Sequence, residues 1–467
     1  MMARVEDVVI VGAGIAGLAT AVALKKAGLK ALVLEKSDSL RVTGAALTLF
    51  PNAWCALDAL GVSHHLTSLY ATIKKGYITN IDTGEIQEVS LAASNGNDLV
   101  GPRSVHRKAL LKALADELPP NSIRFASKLT AIEAQEHEGS SISVIHLGDG
   151  TIIKAKVLIG CDGIHSVVGR SLGLAEPVYA GRSGVRGLAV FPQGHGLDNN
   201  VQQYVGLNRR AGFVPLNDKE IYWFFVTYLA KGADLANEPE VIKREVIENY
   251  AKDLPPIYLD VVRHSDLSTL SWAPLMFRYP WHVVFGNLGK QNITVAGDAM
   301  HPMTPDLGQG GCLALEDAVV LGRYIGTSFV QNGQIVPKEM VSAIGKYVEE
   351  RRWRVALLIA GSYLSGWIQQ PGSGGVMKFL RETIFYSGSI IAGASKPCLS
   401  SFALQTEAKA ALLAVRSAID NNFQDVACES DSQELIRGIK GDFKKGHWTI
   451  FPLLIEIGNL THCFSFD

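Results

Sequence analysis

Three acids in this chain stand at or just past the ends of short apolar runs. Glu35 closes Ala31-Leu32-Val33-Leu34, Asp162 follows Val157-Leu158-Ile159-Gly160, and Asp298 follows Ile293-Thr294-Val295-Ala296. The last two sit in Asp162-Gly163 and Gly297-Asp298 turns, and a glycine loop, Gly12-Ala13-Gly14-Ile15-Ala16-Gly17, precedes the first. Carboxylates placed this way can hold sugar or polyol hydroxyls, while the glycine loop is suited to a diphosphate. Gly12 takes the tight turn, Gly14 lets a pyrophosphate approach the backbone, and Gly17 lets the next helix pack closely. Glu35 lies at roughly the 20-residue interval where an acid meets an adenosine ribose, and it favours a free 2′-hydroxyl, as in FAD or NAD. Downstream of Asp298, backbone N–H groups at Gly310 and Gly311, after Gly308, open a helix whose positive end can stabilise negative charge on a ring. A base role for Asp298 or a metal role for His301 competes with this reading. His301 has no partner at ligand spacing, so no metal ligand is assigned; no acid–base residue is named.

The elements that must position these residues are legible from pattern. Val8-Val9-Ile10-Val11 is β-branched without alternation, which suits a strand buried on both faces of a parallel sheet. The helix after it, Ile15 to Ala27, carries Leu18, Ala21, Val22 and Leu24 and stops at Gly28. Asn52 to Leu60 is a helix ending at Gly61, after an extended segment from Gly44 to Leu49, and Arg107 opens an amphipathic helix with Leu110, Leu111 and Leu114. Gly76 to Ile81 and Ile86 to Leu91 form a hairpin assigned to another layer. Strands are expected at Ile123 to Phe125, Ile142 to Leu147 and Ile152 to Ile153, and a buried one at Val157 to Gly160. For Asp162-Gly163, an ordinary strand-end turn accounts for the same residues as a ligand contact. Residues 178 to 285 differ in texture: Arg186 to Phe191, Val201 to Leu207, Gly212 to Leu216 and Ile221 to Leu229 read as successive antiparallel strands. Their aromatic stripe is more often sheet core than ligand wall. A helix follows from Val241 to Ala251, ending before Pro255-Pro256, and a stronger one runs from Leu313 to Tyr324.

At 467 residues the chain can hold two or three domains. Its 44 Lys plus Arg nearly cancel 45 Asp plus Glu, leaving no basic field to attract nucleic acid. Six cysteines are scattered without a C-x-x-C pair, which argues against zinc and against a disulfide framework and fits a reducing compartment. The first strand is reached by Val8, so no signal or transit peptide is expected and the cytosol is the default location. Val355 to Ile368, interrupted by Gly361 and Ser362, is shorter than a membrane span needs. It predicts a buried or interfacial helix and leaves peripheral membrane contact open; no pattern bears on oligomeric state.

Together, VVIVGAGIAGLATAVALKKAGLKALVLEK (8–36), VLIGCDGIHSVVGRSLG (157–173) and ITVAGDAMHPMTPDLGQGGCLALEDAVVLG (293–322) resemble the aromatic-ring hydroxylase type of single-component flavoprotein monooxygenases. The stretch from about 5 to 395 is most similar to plant FAD-dependent monooxygenases related to zeaxanthin epoxidase and salicylate hydroxylase. The resemblance implies an α/β fold: a discontinuous Rossmann-like FAD-binding domain (5–72, 95–177, 286–395) with an inserted, mainly antiparallel-sheet substrate domain (73–94, 178–285). It implies that Gly12, Gly14, Gly17 and Glu35, with Ile15 and Ala16 between them, hold the ADP half of FAD and that Arg107 faces the flavin side. It places Asp162 and Gly163 at FAD and pyridine nucleotide, Gly297 and Asp298 at the ribityl chain, and Gly308, Gly310 and Gly311 beside the flavin ring. The implied activity uses NAD(P)H and O2, through a flavin C4a-hydroperoxide, to oxygenate a small-molecule substrate. A catalytically weak FAD-binding protein with a regulatory role is the alternative.

From about Leu404 the chain resembles a different family, the ribonuclease H-like domains of plant retroelements, with Glu407 and Asp431 matching two metal-binding carboxylates. The strands carrying the first acid and the segment carrying the last are absent. A two-metal site needs several converging carboxylates, so residues 404–467 read as a partial, fused or mis-spliced fragment, without nuclease activity or a nucleic-acid partner.

Overall fold

The computed structural model describes residues 5–40, 45–91, 101–137, 140–228 and 238–368; Gly44 and the whole tail, with Glu407 and Asp431, lie outside them. Val5–Val11 forms the middle of an eight-stranded sheet. Six of its strands run in the order Gly289–Lys290, Ile293–Val295, Ile152–Gly160, Val5–Val11, Ala31–Leu34, Ile123–Arg124. All the pairings in this row are parallel except the first. Val8, Val9 and Ile10 have no exposed surface, which contributes about 1.5–3 kcal/mol per side chain. The register decides where a ligand can sit: Val11 lies opposite both Leu34 and Gly160, and Gly160 lies opposite Val295. Four parallel strands therefore end level with one another, and the turns that follow them share one edge of the sheet.

Ile15–Lys26 leaves the central strand as a helix buried from Ile15 through Leu24, all round rather than along one stripe. The sheet covers one side and the long helix Gly310–Asn332 covers another. A Cβ on Gly322 would lie 2.5 Å from Ala23 Cβ, and one on Gly326 would lie 2.5 Å from Ala27 Cβ, so this crossing requires small residues. Pro337–Ile368 then packs on Gly310–Asn332.

A second sheet of seven strands has the order Ser271–Phe277, Val178–Val190, Glu220–Thr227, Arg209–Pro215, Val201–Gly206, Lys75–Asn80, Ile86–Ser90. The 75–90 hairpin joins this sheet and not the first. Along Glu220–Thr227 the side chains alternate, with Ile221, Trp223 and Phe225 buried and Tyr222 and Phe224 half-buried. Trp223, Phe213, Phe225 and Tyr204 pack on Tyr258, Val261 and Val262 of the helix Pro256–Arg263, so most of the aromatic stripe is core.

Several elements differ from the pattern reading. Val201–Gly206 does not pair with the strand before it; its neighbours are Arg209–Pro215 and, in parallel, Lys75–Asn80. Ile152 to Gly160 is one strand, because its first half pairs with Ser140–Leu147 and its second half with Ile293–Val295. Leu129–His137 and Ser271–Phe277 are additional strands. The expected 241–251 helix is Pro239–Glu245 continued by a π-helical turn, Val246–Tyr250. That helix ends before Pro255-Pro256 as expected, and Pro256 in turn opens a further helix, Pro256–Arg263, from its first turn, where its missing N–H has no cost.

Candidate functional site

The glycine loop divides into positions that the protein needs and one that it leaves open. Gly12 has φ +103°, and a Cβ there would lie 2.3 Å from the Cys161 carbonyl oxygen. A Cβ on Gly17 would lie 1.9 Å from the Gly12 carbonyl oxygen. Gly14 caps the helix with ordinary dihedrals, and a Cβ there would meet no atom within 4 Å. Beyond that glycine lies the open space a diphosphate needs, at a helix start with no side-chain cap. Ile15 and Ala16 are buried in the first helical turn. Glu35 accepts the Ala13 N–H at Oε2 (2.8 Å) and the Ser37 N–H at Oε1 (2.9 Å), so it also ties the loop to the second strand.

Asp162 turns back into its own loop. Its Oδ1 accepts the Ser166 hydroxyl at 2.5 Å and its Oδ2 accepts the Val167 and Val168 N–H groups at 2.7 and 3.3 Å. Ser166 in turn caps the short helix Val167–Ser171 by accepting the Gly169 N–H. Burial raises the Asp162 carboxyl above its ordinary range, against the pull of the Ser166 hydroxyl and the backbone N–H groups. Gly163 follows at φ +83°. Asp162 is thus engaged in shaping the turn at the end of its own strand.

Gly297 takes φ +60°, and a Cβ there would lie 2.8 Å from Ala16 Cβ, so the third turn packs on the glycine loop. Asp298 is the one exposed residue of the stretch Ala296–Pro302. Gly308, at φ +65°, lies against the Phe50 ring, and Gly310 starts a 23-residue helix whose N-cap, Gln309, gives no side-chain cap. A Cβ on Gly311 would lie 2.7 Å from Leu47 of the small sheet Ala46–Leu49/Arg103–His106. Arg107 follows that sheet, half-buried at the start of Arg107–Asp116, with its N–H on the Ala45 carbonyl.

Beneath these turns lies a buried ion cluster that sequence reasoning missed. Asp317 Oδ2 accepts the Gly297 N–H at 2.9 Å and bonds His301 Nε2 at 2.6 Å, while Oδ1 accepts Arg351 Nε at 2.7 Å. Glu316 receives Arg351 Nη1 at 2.7 Å, Arg354 Nε at 2.6 Å and Asn52 Nδ2 at 2.7 Å; Asn52 also reaches Gln309. Burial would push Asp317 up, but the His301 and Arg351 charges outweigh it and hold its carboxyl well below the usual range. Closer to the second sheet, Asp306 is gripped by Arg182 through both oxygens (2.7 and 2.6 Å), and Arg210 stands 3.6 Å away. The available signal was Glu316-Asp317 inside the otherwise apolar stretch Cys312–Leu321, a pair that burial forces to find cations. His301 is therefore committed to Asp317.

A family model described as an FAD binding domain matches residues 6–362. The chain belongs to the FAD-dependent monooxygenases. This monooxygenase is 42% identical over 373 residues to Monooxygenase 2 of Arabidopsis thaliana, covering 78% of this chain and 90% of that one. It is 37% identical over 372 residues to Monooxygenase 1 of the same plant, covering 78% and 91%. Among solved structures, Klebsiella pneumoniae HpxO complexed with FAD and uric acid superposes with a TM-score of 0.70 at 25% identity, covering 84% of this chain and 97% of that one. FAD is its cofactor, and the open space at Gly14 and the exposed carboxylate of Asp298, which has no partner among the described residues, fit such a group. A second model, described as reverse transcriptase-like, matches residues 364–466. Among the described residues, no helix of this monooxygenase is long and apolar enough to cross a membrane.

Proposed function

We propose that this monooxygenase takes electrons from NAD(P)H and inserts one atom of O2 into a small aromatic or lipophilic substrate. The observation that carries the reading is the level ending of four parallel strands at Leu34, Val11, Gly160 and Val295, which gathers Glu35, Gly12–Gly17, Asp162–Gly163 and Gly297–Asp298 on one edge. On this reading residues 5–72, 95–177 and 286–395 bind FAD, and 73–94 with 178–285 hold the substrate. Gly12, Gly14, Ile15, Ala16 and Gly17 cradle the diphosphate and Glu35 accepts the ribose hydroxyls. Asp298 holds the ribityl chain, and the helix start at Gly310 and Gly311, after Gly308, faces the ring. Asp162 and Gly163 shape the neighbouring turn, and Arg107 faces the flavin side from the small sheet.

FAD supplies the electron transfer and oxygen activation; the chain's own residues bind, orient and exclude water. An apolar substrate is supported by the cluster of Ala45, Leu188 and Leu216, drawn from the segment before the small sheet and from the second sheet, with Tyr222 packed on it. Burial raises the Tyr222 hydroxyl, which therefore stays protonated at neutral pH and can donate a hydrogen bond.

The test is oxidation of NADPH by the FAD-loaded enzyme with candidate phenols, indoles, uric acid and carotenoid-like lipids, under isotopically labelled O2. One substrate should stimulate NADPH oxidation and emerge with one labelled oxygen. Oxidation at one rate with every candidate, and no oxygenated product, would favour the catalytically weak alternative.

A further inference from the structure

The turn that carries Asp298 is gripped from both ends by charged side chains. The Gly297 N–H at its start and His301 Nε2 towards its end converge on Asp317 Oδ2. At its end, Arg278 Nη1 donates to the carbonyls of Ala299 (2.9 Å) and Met300 (2.5 Å), Nε donates to Ala175 (2.9 Å), and the Arg278 N–H donates to Pro302 (3.0 Å). Arg278 is 3% exposed. Arg182, Arg210, Arg351 and Arg354, also well buried, each stand within ion-pair distance of a carboxylate. Arg278 forms no ion pair among the described residues, and its side-chain hydrogen bonds are all to carbonyls. Burial, opposed by Glu176, lowers the guanidinium to about 10, so it remains charged at neutral pH. A buried cation with no carboxylate in ion-pair contact among the described residues is costly for folding, and its presence is explained if its contacts have another use.

We infer that Arg278 is a positioning residue for the cofactor: it holds the Ala299–Met300 and Met300–His301 peptides after Asp298, while Asp317 holds the Ala296–Gly297 peptide before it, so the Asp298 carboxylate is aimed before FAD arrives. The carbonyls it binds belong to the two residues directly after Asp298. Both flanks of the exposed acid are thereby held while the acid itself stays free. Through Ala175, Arg278 also joins this turn to the segment after Val167–Ser171, whose Gly169 lies close to the Ala299 carbonyl. The inference rests on the reading of Asp298 as an FAD ligand.

The test is a double-mutant cycle on FAD affinity, measured by flavin fluorescence on apoprotein of the wild type, Arg278→Gln, Asp298→Ala and the double variant. Asp298→Ala should weaken FAD at least tenfold. Arg278→Gln should weaken it at least tenfold with native far-UV circular dichroism, yet cost less than threefold in the Asp298→Ala background. An equal penalty in both backgrounds would make Arg278 a structural residue and overturn the inference, leaving the Asp298 reading intact. Unchanged affinity in Asp298→Ala would overturn that reading and the inference with it. Should Arg278→Gln not fold, Arg278→Lys, which keeps the charge but has a single nitrogen, takes its place in the cycle with the same criteria.

Discussion

Replacing Glu35 with alanine tests two roles at once, and the structure separates them. Each carboxylate oxygen already accepts one backbone N–H, from Ala13 and from Ser37, and each keeps one lone pair for a ribose hydroxyl. A hydrogen bond to a charged acceptor contributes about 1.5–3 kcal/mol, so losing the ribose contact should raise the FAD dissociation constant about 10- to 150-fold. The two internal bonds are lost as well. Because Glu35 is half-buried, their removal should cost the apoprotein about 1–3 kcal/mol in total, a shift of a few degrees in Tm. Apoprotein would be titrated with FAD by fluorescence quenching, with thermal melts run in parallel. Glu35→Gln, which keeps one acceptor oxygen, should fall between wild type and alanine in both measurements. A lowered Tm with FAD affinity within twofold of wild type would show that Glu35 serves the glycine loop alone, and would refute the ribose contact.

Gly14→Ala should leave the apoprotein melt within about 0.5 kcal/mol of wild type, because its Cβ meets no atom within 4 Å, and yet weaken FAD; unchanged FAD affinity would show that the diphosphate does not pass there. Gly17→Ala, whose Cβ would lie 1.9 Å from the Gly12 carbonyl, should instead lower Tm sharply with or without FAD. Acidification acts through Asp306, Glu316 and Asp317, all held below their ordinary range in the folded state. Their stabilisation is present above the unfolded carboxylate range near pH 4 and is lost as pH falls through that range towards the depressed values, so Tm should be flat from neutrality to about pH 5 and drop below it. Asp162, raised by burial, contributes with the opposite sign, and a Tm that rose below pH 4 would mean that it outweighs the three. Deleting residues 404–467 should leave FAD affinity and NADPH oxidation unchanged, since the match to the FAD binding domain ends at residue 362; a truncated protein that loses FAD would show the tail acting as a cap for the enzyme.

The readable parts of this chain were those in which one residue's own chemistry dictates the backbone. Val8 to Val11 announces a buried parallel strand because β-branched side chains on both faces tolerate nothing else. Gly12 announces a turn because a side chain at φ +103° would strike the neighbouring strand. Pairings between distant segments carry no comparable mark. Nothing near Val201 shows that its partner is Lys75–Asn80, because a parallel neighbour is brought in by tertiary packing and not by a short turn. The helix that Pro256 begins went unread for a related reason, since one residue type can end a helix or begin one and only the flanking structure decides which. The same limit hid the ion cluster. Asp317 and Arg351 are 34 positions apart, and His301 draws its meaning from Asp317 and not from any spacing of metal ligands. The acids proposed to face the cofactor, Glu35 and Asp298, stand at strand ends and in turns and could be found by pattern. The charges that hold the Asp298 turn, Asp317 in the helix Gly310–Asn332 and Arg278 just after the strand Ser271–Phe277, reach it through tertiary contacts that no local spacing marks.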